Sequence, residues 1–236
     1  MLKKIIRPIA YIQSDFHQKY GIPRQPRIVP NIIAEVILVP PFSNPDAVRG
    51  LEEFSHIWLL WGFSENDIDM ESSIPDWKPI VRPPMLGGKI KKGVFATRSP
   101  YRPNSIGMSA VELKEVRTGN NSVSLLVSGA DLLDGTPIYD IKPYIPYADC
   151  IERASGGFTT NVEMESMLLE VIVPENLAKK INPEKLSALK EILALDPRDA
   201  YDKKKNHICK MAFADWDVFF IVENGKVEVK DIVSIR

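Results

Sequence analysis

Three stretches of the chain hold residue types that could do chemistry. From Arg82 to Arg102 the sequence carries Arg82, Lys89, Lys91, Lys92, Arg98 and Arg102 with no acidic residue between them. Prolines, glycines and Tyr101 interleave these charges, and proline holds a loop to a set path. Positive charge suits phosphates, and exposed aromatic faces suit unstacked bases. This stretch predicts an RNA-contacting surface, with a plain solvated charged face as the alternative. The second stretch, Arg98-Ser99-Pro100-Tyr101-Arg102-Pro103-Asn104-Ser105-Ile106-Gly107, is a rigid polar segment in which Asn104 can bond its own backbone. It reads either as a tight inter-strand connection or as a pocket wall that presents Arg98 to a ligand. In the third, Asp140 and Lys142 flank the apolar Ile141, so on a strand both side chains face one side. With Tyr139 and Tyr144 around them they could line a polar pocket or form an ordinary surface ion pair.

Several chemistries lack their residues. No GxGxxG turn is present, and Gly87-Gly88 lies in a loop without a strand–helix context. His17, His56 and His207 have no metal-ligand neighbours at helical spacing, so no metal is predicted. His56 sits in an apolar run and reads as a hydrogen-bonded core histidine. Neither a GxSxG elbow nor a P-loop occurs. The formal net charge is −1, so any nucleic-acid contact must rest on a local basic face. Cys150 and Cys209 form no CxxC pair and read as reduced thiols of a cytoplasmic protein. No signal peptide is visible, and no apolar run approaches membrane-spanning length.

The elements that must position these residues are mostly short strands. Ile5 to Ile12, Ile33 to Val39, His56 to Phe63, Val94 to Thr97, Gly107 to Val116, Ser122 to Val127 and Thr136 to Ile141 all read as extended, with turn residues between them. Asp46 to Phe54 reads as one short helix capped by Asn44. Tyr20 to Pro30 is a proline-rich basic loop, and Ser64 to Asp76 an acidic one. Short strands without intervening long helices predict a barrel or a sandwich rather than a doubly wound fold. The composition shifts near residues 151–161. Beyond them Met167 to Val173 reads as a strand and Glu175 to Ile181 as a short helix. The clearest helix is capped by Asn182, starts at Pro183 and lines one face with Leu186, Leu189, Ile192 and Leu193. Met211 to Val222 and Lys226 to Val233 form a hairpin about Asn224-Gly225. The prediction is a mainly β chain. Residues 1–155 would form a single antiparallel β-barrel that binds cofactor, and residues 156–236 a linker and a small C-terminal α+β domain.

Several blocks resemble the TsaA-like family. They are Pro23-Arg24-Gln25-Pro26, Asp46-Ala47-Val48-Arg49-Gly50-Leu51-Glu52, Phe54-Ser55-His56-Ile57-Trp58, Val81 to Gly88, Gly93 to Ser99, Arg102 to Ser109, and Asp134 to Tyr144. Asp196-Pro197-Arg198, with Tyr201, is similar to the appended domain of bacterial members. The resemblance implies a β-barrel that binds S-adenosyl-L-methionine. It implies a tRNA substrate carrying threonylcarbamoyladenosine next to the anticodon, methylated on the exocyclic nitrogen of that base. It also implies a homodimer with the cofactor near the subunit interface. Carried onto this chain, the cofactor contacts would be Pro23, Arg24, Gln25, Ser64, Glu65, Arg98 and Met108, with the turn Leu132, Leu133, Asp134, Gly135 and Thr136.

Methyl transfer from a sulfonium is an in-line displacement, in which positioning the two reactants removes roughly 7–11 kcal/mol of barrier. Neither a metal nor a nucleophilic side chain is required. A base near the acceptor nitrogen helps, and Asp140 is the candidate, with Lys142 or Tyr139 orienting the carbamoyl group. Arg82, Lys92, Arg102, Asn104 and Tyr144 are the candidates for contacts to the substrate. A barrel that methylates a small molecule or protein, and a non-catalytic RNA- or ligand-binding barrel, stay open at this point.

Overall fold

A computed structural model describes residues 5–63, 77–120, 122–160, 168–198 and 207–235. Strands β1 (Ala10–Gln13), β2 (Ile33–Leu38), β3 (His56–Gly62), β4 (Ile80–Val81), β5 (Lys92–Gly93), β6 (Ile106–Gly119), β7 (Ser122–Ser128) and β8 (Pro137–Pro143) make up the first part. Six of them close into a barrel in the order β1-β2-β7-β6-β3-β8, every pair antiparallel. Closure follows from alternation. β2 and β7 turn every second residue inward, placing Ala34, Val36 and Leu38 beside Val123, Leu125 and Val127 in the core. A closed sheet has no open edge to protect. β4 and β5 pair separately as a small hairpin in the loop before β6.

A four-residue α1 (Pro146–Asp149) follows the barrel. β9 (Glu170–Ile172), α2 (Glu175–Ala178), α3 (Pro183–Ala194), β10 (Cys209–Phe213), β11 (Trp216–Glu223) and β12 (Lys226–Ser234) then build a second unit. Its sheet runs β10-β11-β12-β9, with β9 parallel to β12. The Asn182 side chain accepts from Glu184 N–H at 2.8 Å, and Pro183 opens α3 with a fixed φ. Ala188, Leu189, Ile192 and Leu193 are the buried face of α3.

Four local expectations differ from the structure. The strand expected over Ile5 to Ile12 is formed only at Ala10–Gln13, beyond Pro8, which has no N–H to give to a ladder. Asp46 to Phe54 is two 3-10 turns, Pro45–Val48 and Leu51–Glu53, because Gly50 between them takes φ +83 and breaks the helical path. Val94–Ala96 is a 3-10 turn rather than a strand. Met211 to Val222 is divided between β10 and β11 by a turn at Ala214, which adopts φ +49 without a glycine to announce it. The hairpin at Asn224-Gly225 forms with positive φ at both residues, the conformation a two-residue turn demands.

The division in sequence is not the division in space. The chain between β1 and β2 leaves the barrel and packs into the second unit. Phe16, Val29 and Ile32 are each 1% exposed within the core built by α3 and the C-terminal sheet. Each such side chain stabilises the docked loop by about 1.5–3 kcal/mol relative to an exposed one. The loop returns to the barrel through Arg27 N–H to Gly129 O at 2.8 Å and Gly129 N–H to Ile32 O at 2.9 Å.

Candidate cofactor pocket

The strand registers put the end of β1, the end of β3, the start of β6 and the β7–β8 turn at one mouth of the barrel. A pocket of about 330 Å³ opens there. The loop after β1 supplies Ile22, Pro23, Arg24 and Gln25 to its wall. Trp61 and Phe63 come from the end of β3, and Gly107 and Met108 from the start of β6. Arg98 and Arg102 come from the connection before β6, and Asp131, Leu133 and Thr136 from the β7–β8 turn.

The polar groups are held in place by one another. Ser109 Oγ donates to Asp131 Oδ1 at 2.6 Å and accepts from Trp61 Nε1–H at 3.0 Å. Burial pushes the Asp131 carboxyl up to about 6, against the opposing pull of the Ser109 hydrogen bond and the Arg98 charge. It is the one carboxylate among the described lining residues. Arg98 donates from its guanidinium to Gln25 Oε1, tying the loop after β1 to the connection before β6. The Trp61 ring lies over Gly107, where a Cβ would stand 2.4 Å from the indole. Trp61 and Phe63 pack edge to face at 4.4 Å between centroids.

The turn from Leu132 to Thr136 is a braced support. Leu132 is buried and gives its carbonyl to Ser14 Oγ–H at 2.9 Å. Asp134 Oδ1 accepts from Ser14 N–H at 3.0 Å, and its other oxygen lies 3.7 Å from His17 Nδ1. Gly135 takes φ +74, and Thr136 donates its hydroxyl to Leu133 O at 2.7 Å. Leu133 and Thr136 reach the pocket wall, while Leu132, Asp134 and Gly135 build the turn behind it.

Of the other described candidates only Arg102 reaches the pocket wall. Asp140 and Lys142 do share a face, 2.9 Å apart in a largely exposed ion pair on β8, but neither lines the pocket. The Tyr139 hydroxyl lies against Gly62. Tyr144 packs on Trp58 at 5.6 Å and His56 at 6.3 Å. His56 is half-buried, with Nδ1 at 2.9 Å from Ser55 Oγ. Arg82 and Lys92 sit beside the β4–β5 hairpin, Lys92 over the Phe158 ring at 5.7 Å. Arg102 directs its guanidinium at Thr97 O (2.6 Å) and Ser99 O (3.0 Å), so it shapes its own loop; Asn104 is exposed. Ser64 and Glu65 lie outside the described residues.

Sequence reasoning missed Asp131, Trp61 and Ser109. The period-2 pattern of β6 was the available signal for Ser109, a polar residue at an inward position. Asp131 opens the stretch that runs through the turn to Tyr144, and its place on the pocket wall has no local signature. Among the described residues no group of three or more His, Cys, Asp or Glu could hold a metal ion, and no helix is long and apolar enough to cross a membrane.

Fold and pocket together define a ligand-binding antiparallel barrel with an appended α+β unit. The family model described as the tRNA-methyltransferase O N-terminal domain matches residues 11–150, and the TrmO C-terminal domain model matches residues 166–235. The chain belongs to the tRNA-methyltransferase O (TrmO) family. It is 44% identical over 199 residues to an Escherichia coli K12 protein named tRNA (adenine(37)-N6)-methyltransferase, covering 83% of this chain and 82% of that one. It is 41% identical over 202 residues to a Pseudomonas aeruginosa PAO1 protein provisionally described as an S-adenosylmethionine-dependent methyltransferase, covering 84% and 83%. The crystal structure of TrmO from Pseudomonas aeruginosa superimposes with a TM-score of 0.78 at 32% identity, over 99% of each chain.

Proposed function

We propose that this protein methylates N6 of adenine 37 in a tRNA with S-adenosyl-L-methionine as donor, and that the adenine it accepts already carries a threonylcarbamoyl group. One observation supports the reading above others: the pocket joins an apolar cleft to the Arg98 guanidinium, tied to Gln25, and a single partly buried carboxylate, in a chain whose two units both match the family. Those groups fit the donor. Arg98 and Gln25 suit its carboxylate, and Ile22, Met108 and Leu133 the faces of its adenine. The bound cofactor supplies a methyl group on a positively charged sulfur, which needs no metal to activate it.

The chain's own residues do the rest. Pro23, Arg24 and Gln25 close one wall and exclude water. The acceptor nitrogen lies next to a carbonyl and loses a proton as it reacts, so a carboxylate within reach lowers the barrier. Asp131 is the base we favour, because it faces the pocket and its ordinary pKa is raised toward neutrality by burial. Asp140, Lys142 and Tyr139 are assigned to the acceptor side, on the strand that follows the same turn.

The tRNA would lie over the basic loop. Lys78 stands 4.4 Å over the Tyr101 ring, and Phe95, 75% exposed, stacks on Trp77 at 5.9 Å. With Arg82 and Lys92 these offer charge for phosphates and open rings for bases. Arg102 acts through the loop it shapes, while Asn104 and Tyr144 offer polar groups at its margins. Met108, half-exposed at the pocket rim, would be covered by a second copy of the chain, making the working unit a homodimer.

Labelled methyl transfer to two tRNA preparations tests this directly, one with threonylcarbamoyl at adenosine 37 and one without. Transfer to the first alone is the expected result. Equal transfer to both removes the carbamoyl requirement, and transfer to neither removes the whole reading. Sedimentation of the purified protein as a monomer at assay concentration would remove the dimer.

A further inference from the structure

The three residues assigned to the cofactor from the loop after β1, Pro23 to Gln25, are flanked on both sides by side chains that belong to the C-terminal unit. Phe16 on one side and Val29 and Ile32 on the other are buried in its core, and Tyr20, Ile22 and Ile28 pack against the same core. Phe16 meets Phe213 at 6.2 Å between ring centroids. Gly21 holds φ +92 directly over Met211, where a Cβ would stand 2.2 Å from the sulfur. Tyr20 and Cys209 of β10 pack against the same core. Asp15 pairs with Lys185 of α3, and its carbonyl accepts from Ala214 N–H at 2.9 Å. Ile22 belongs to both places: it lines the pocket and packs on the C-terminal core.

We infer that the C-terminal unit positions the cofactor wall, with Met211, Phe213 and Lys185 acting as positioning residues that hold residues 14–32 so that Pro23 to Gln25 close the pocket. The inference rests on the assignment of the cofactor to this pocket. Without its anchors the loop keeps only its ends on the barrel, Ser14, Phe16 and His17 on the β7–β8 turn and Arg27 on Gly129. A segment of about nine residues between two such points has many open conformations, and few of them place Gln25 against Arg98. Only the closed fraction binds, so the apparent dissociation constant rises as that fraction falls. Once cofactor is saturating the wall is in place, and turnover recovers.

Three full-length variants test this by calorimetry with S-adenosylmethionine: Met211→Ala, Lys185→Ala and Arg98→Ala. Amide hydrogen exchange and thermal scans on the cofactor-free proteins accompany them. Met211→Ala should raise the dissociation constant about ten-fold, as for a loop closed about a tenth of the time, and Lys185→Ala roughly two- to three-fold. Turnover at saturating cofactor should stay within about two-fold for both, the signature of lost binding rather than lost chemistry. Exchange at residues 19–25 should quicken while that of α3 does not. If Met211→Ala does not fold, Lys185→Ala carries the test, since its side chain is 34% exposed. Unchanged affinity and exchange in folded variants, alongside a weakened Arg98→Ala, would overturn the positioning role. Unchanged affinity in Arg98→Ala as well would overturn the pocket assignment, and the inference with it.

Discussion

Asp131 and Asp140 stand nine positions apart, at either end of the segment that turns from β7 into β8, yet their surroundings oppose each other. Asp131 is half-buried in the pocket wall, hydrogen-bonded by Ser109 at 2.6 Å, with its carboxyl raised to about 6 by desolvation. Asp140 lies on the outer surface of β8 in an ion pair of 2.9 Å with Lys142. Spacing along a strand placed Asp140 and Lys142 on one face correctly. It said nothing about which face meets the pocket. A carboxylate becomes chemically useful through desolvation and fixed neighbours, and those belong to depth rather than to spacing.

Asparagine substitutions break this comparison most directly. Asp131→Asn should lower kcat by about 10²–10⁴, the range for losing a positioned base, while Asp140→Asn in steady-state assays should lose less than about ten-fold. The reverse order would return the base to Asp140. The pH profile sharpens the same point. The logarithm of kcat/KM should fall below about pH 6 with unit slope as Asp131 takes a proton, and Asp131→Asn should lose that limb.

Stability runs the other way. The folded Asp131 carboxyl, at about 6, lies above its ordinary value of 3.8, so between those pH values the folded state binds more protons than the unfolded one. Its contribution to stability therefore falls as pH rises through that window and stays unfavourable above it. At pH 7.5 Asp131→Asn should raise Tm by roughly 2–4 °C for each kcal/mol recovered. A lowered Tm would mean that the carboxylate is stabilised rather than strained by its site.

Smaller effects follow from packing. Gly107→Ala drives a methyl group into the Trp61 ring, and such overpacking costs about 1–3 kcal/mol. Thermal scans should register that loss together with weaker cofactor binding, because Trp61 also anchors Ser109. Lys142→Ala comes last. An exposed pair contributes about 0.2–1 kcal/mol, so Tm should hardly move, and a loss of several degrees would place the pair in the structural core of β8 instead.

Local features of the fold were legible wherever a residue's own backbone preference decides the outcome. Asn182-Pro183 starts α3 because an amide caps the first N–H groups and proline is preset for a helix; Asn224-Gly225 turns a hairpin because both residues tolerate positive φ. Alternating apolar residues specified β2 and β7, since every second side chain meets one core. Ala214 turns the chain between β10 and β11 without any such preference, held there by Ala214 N–H to Asp15 O across the two units. That bond joins residues far apart in the chain, and so do the others that make the site: Ser109 to Asp131, Arg98 to Gln25, Phe16 on Phe213. Pro23 to Gln25, Arg98 and Met108 stand in blocks that the resemblance marks, whereas Trp61 and Asp131 carry no such mark. Asp131's depth, and the hold of the C-terminal sheet on the cofactor loop, arise when distant segments exclude water from one another, an effect no stretch of sequence carries alone.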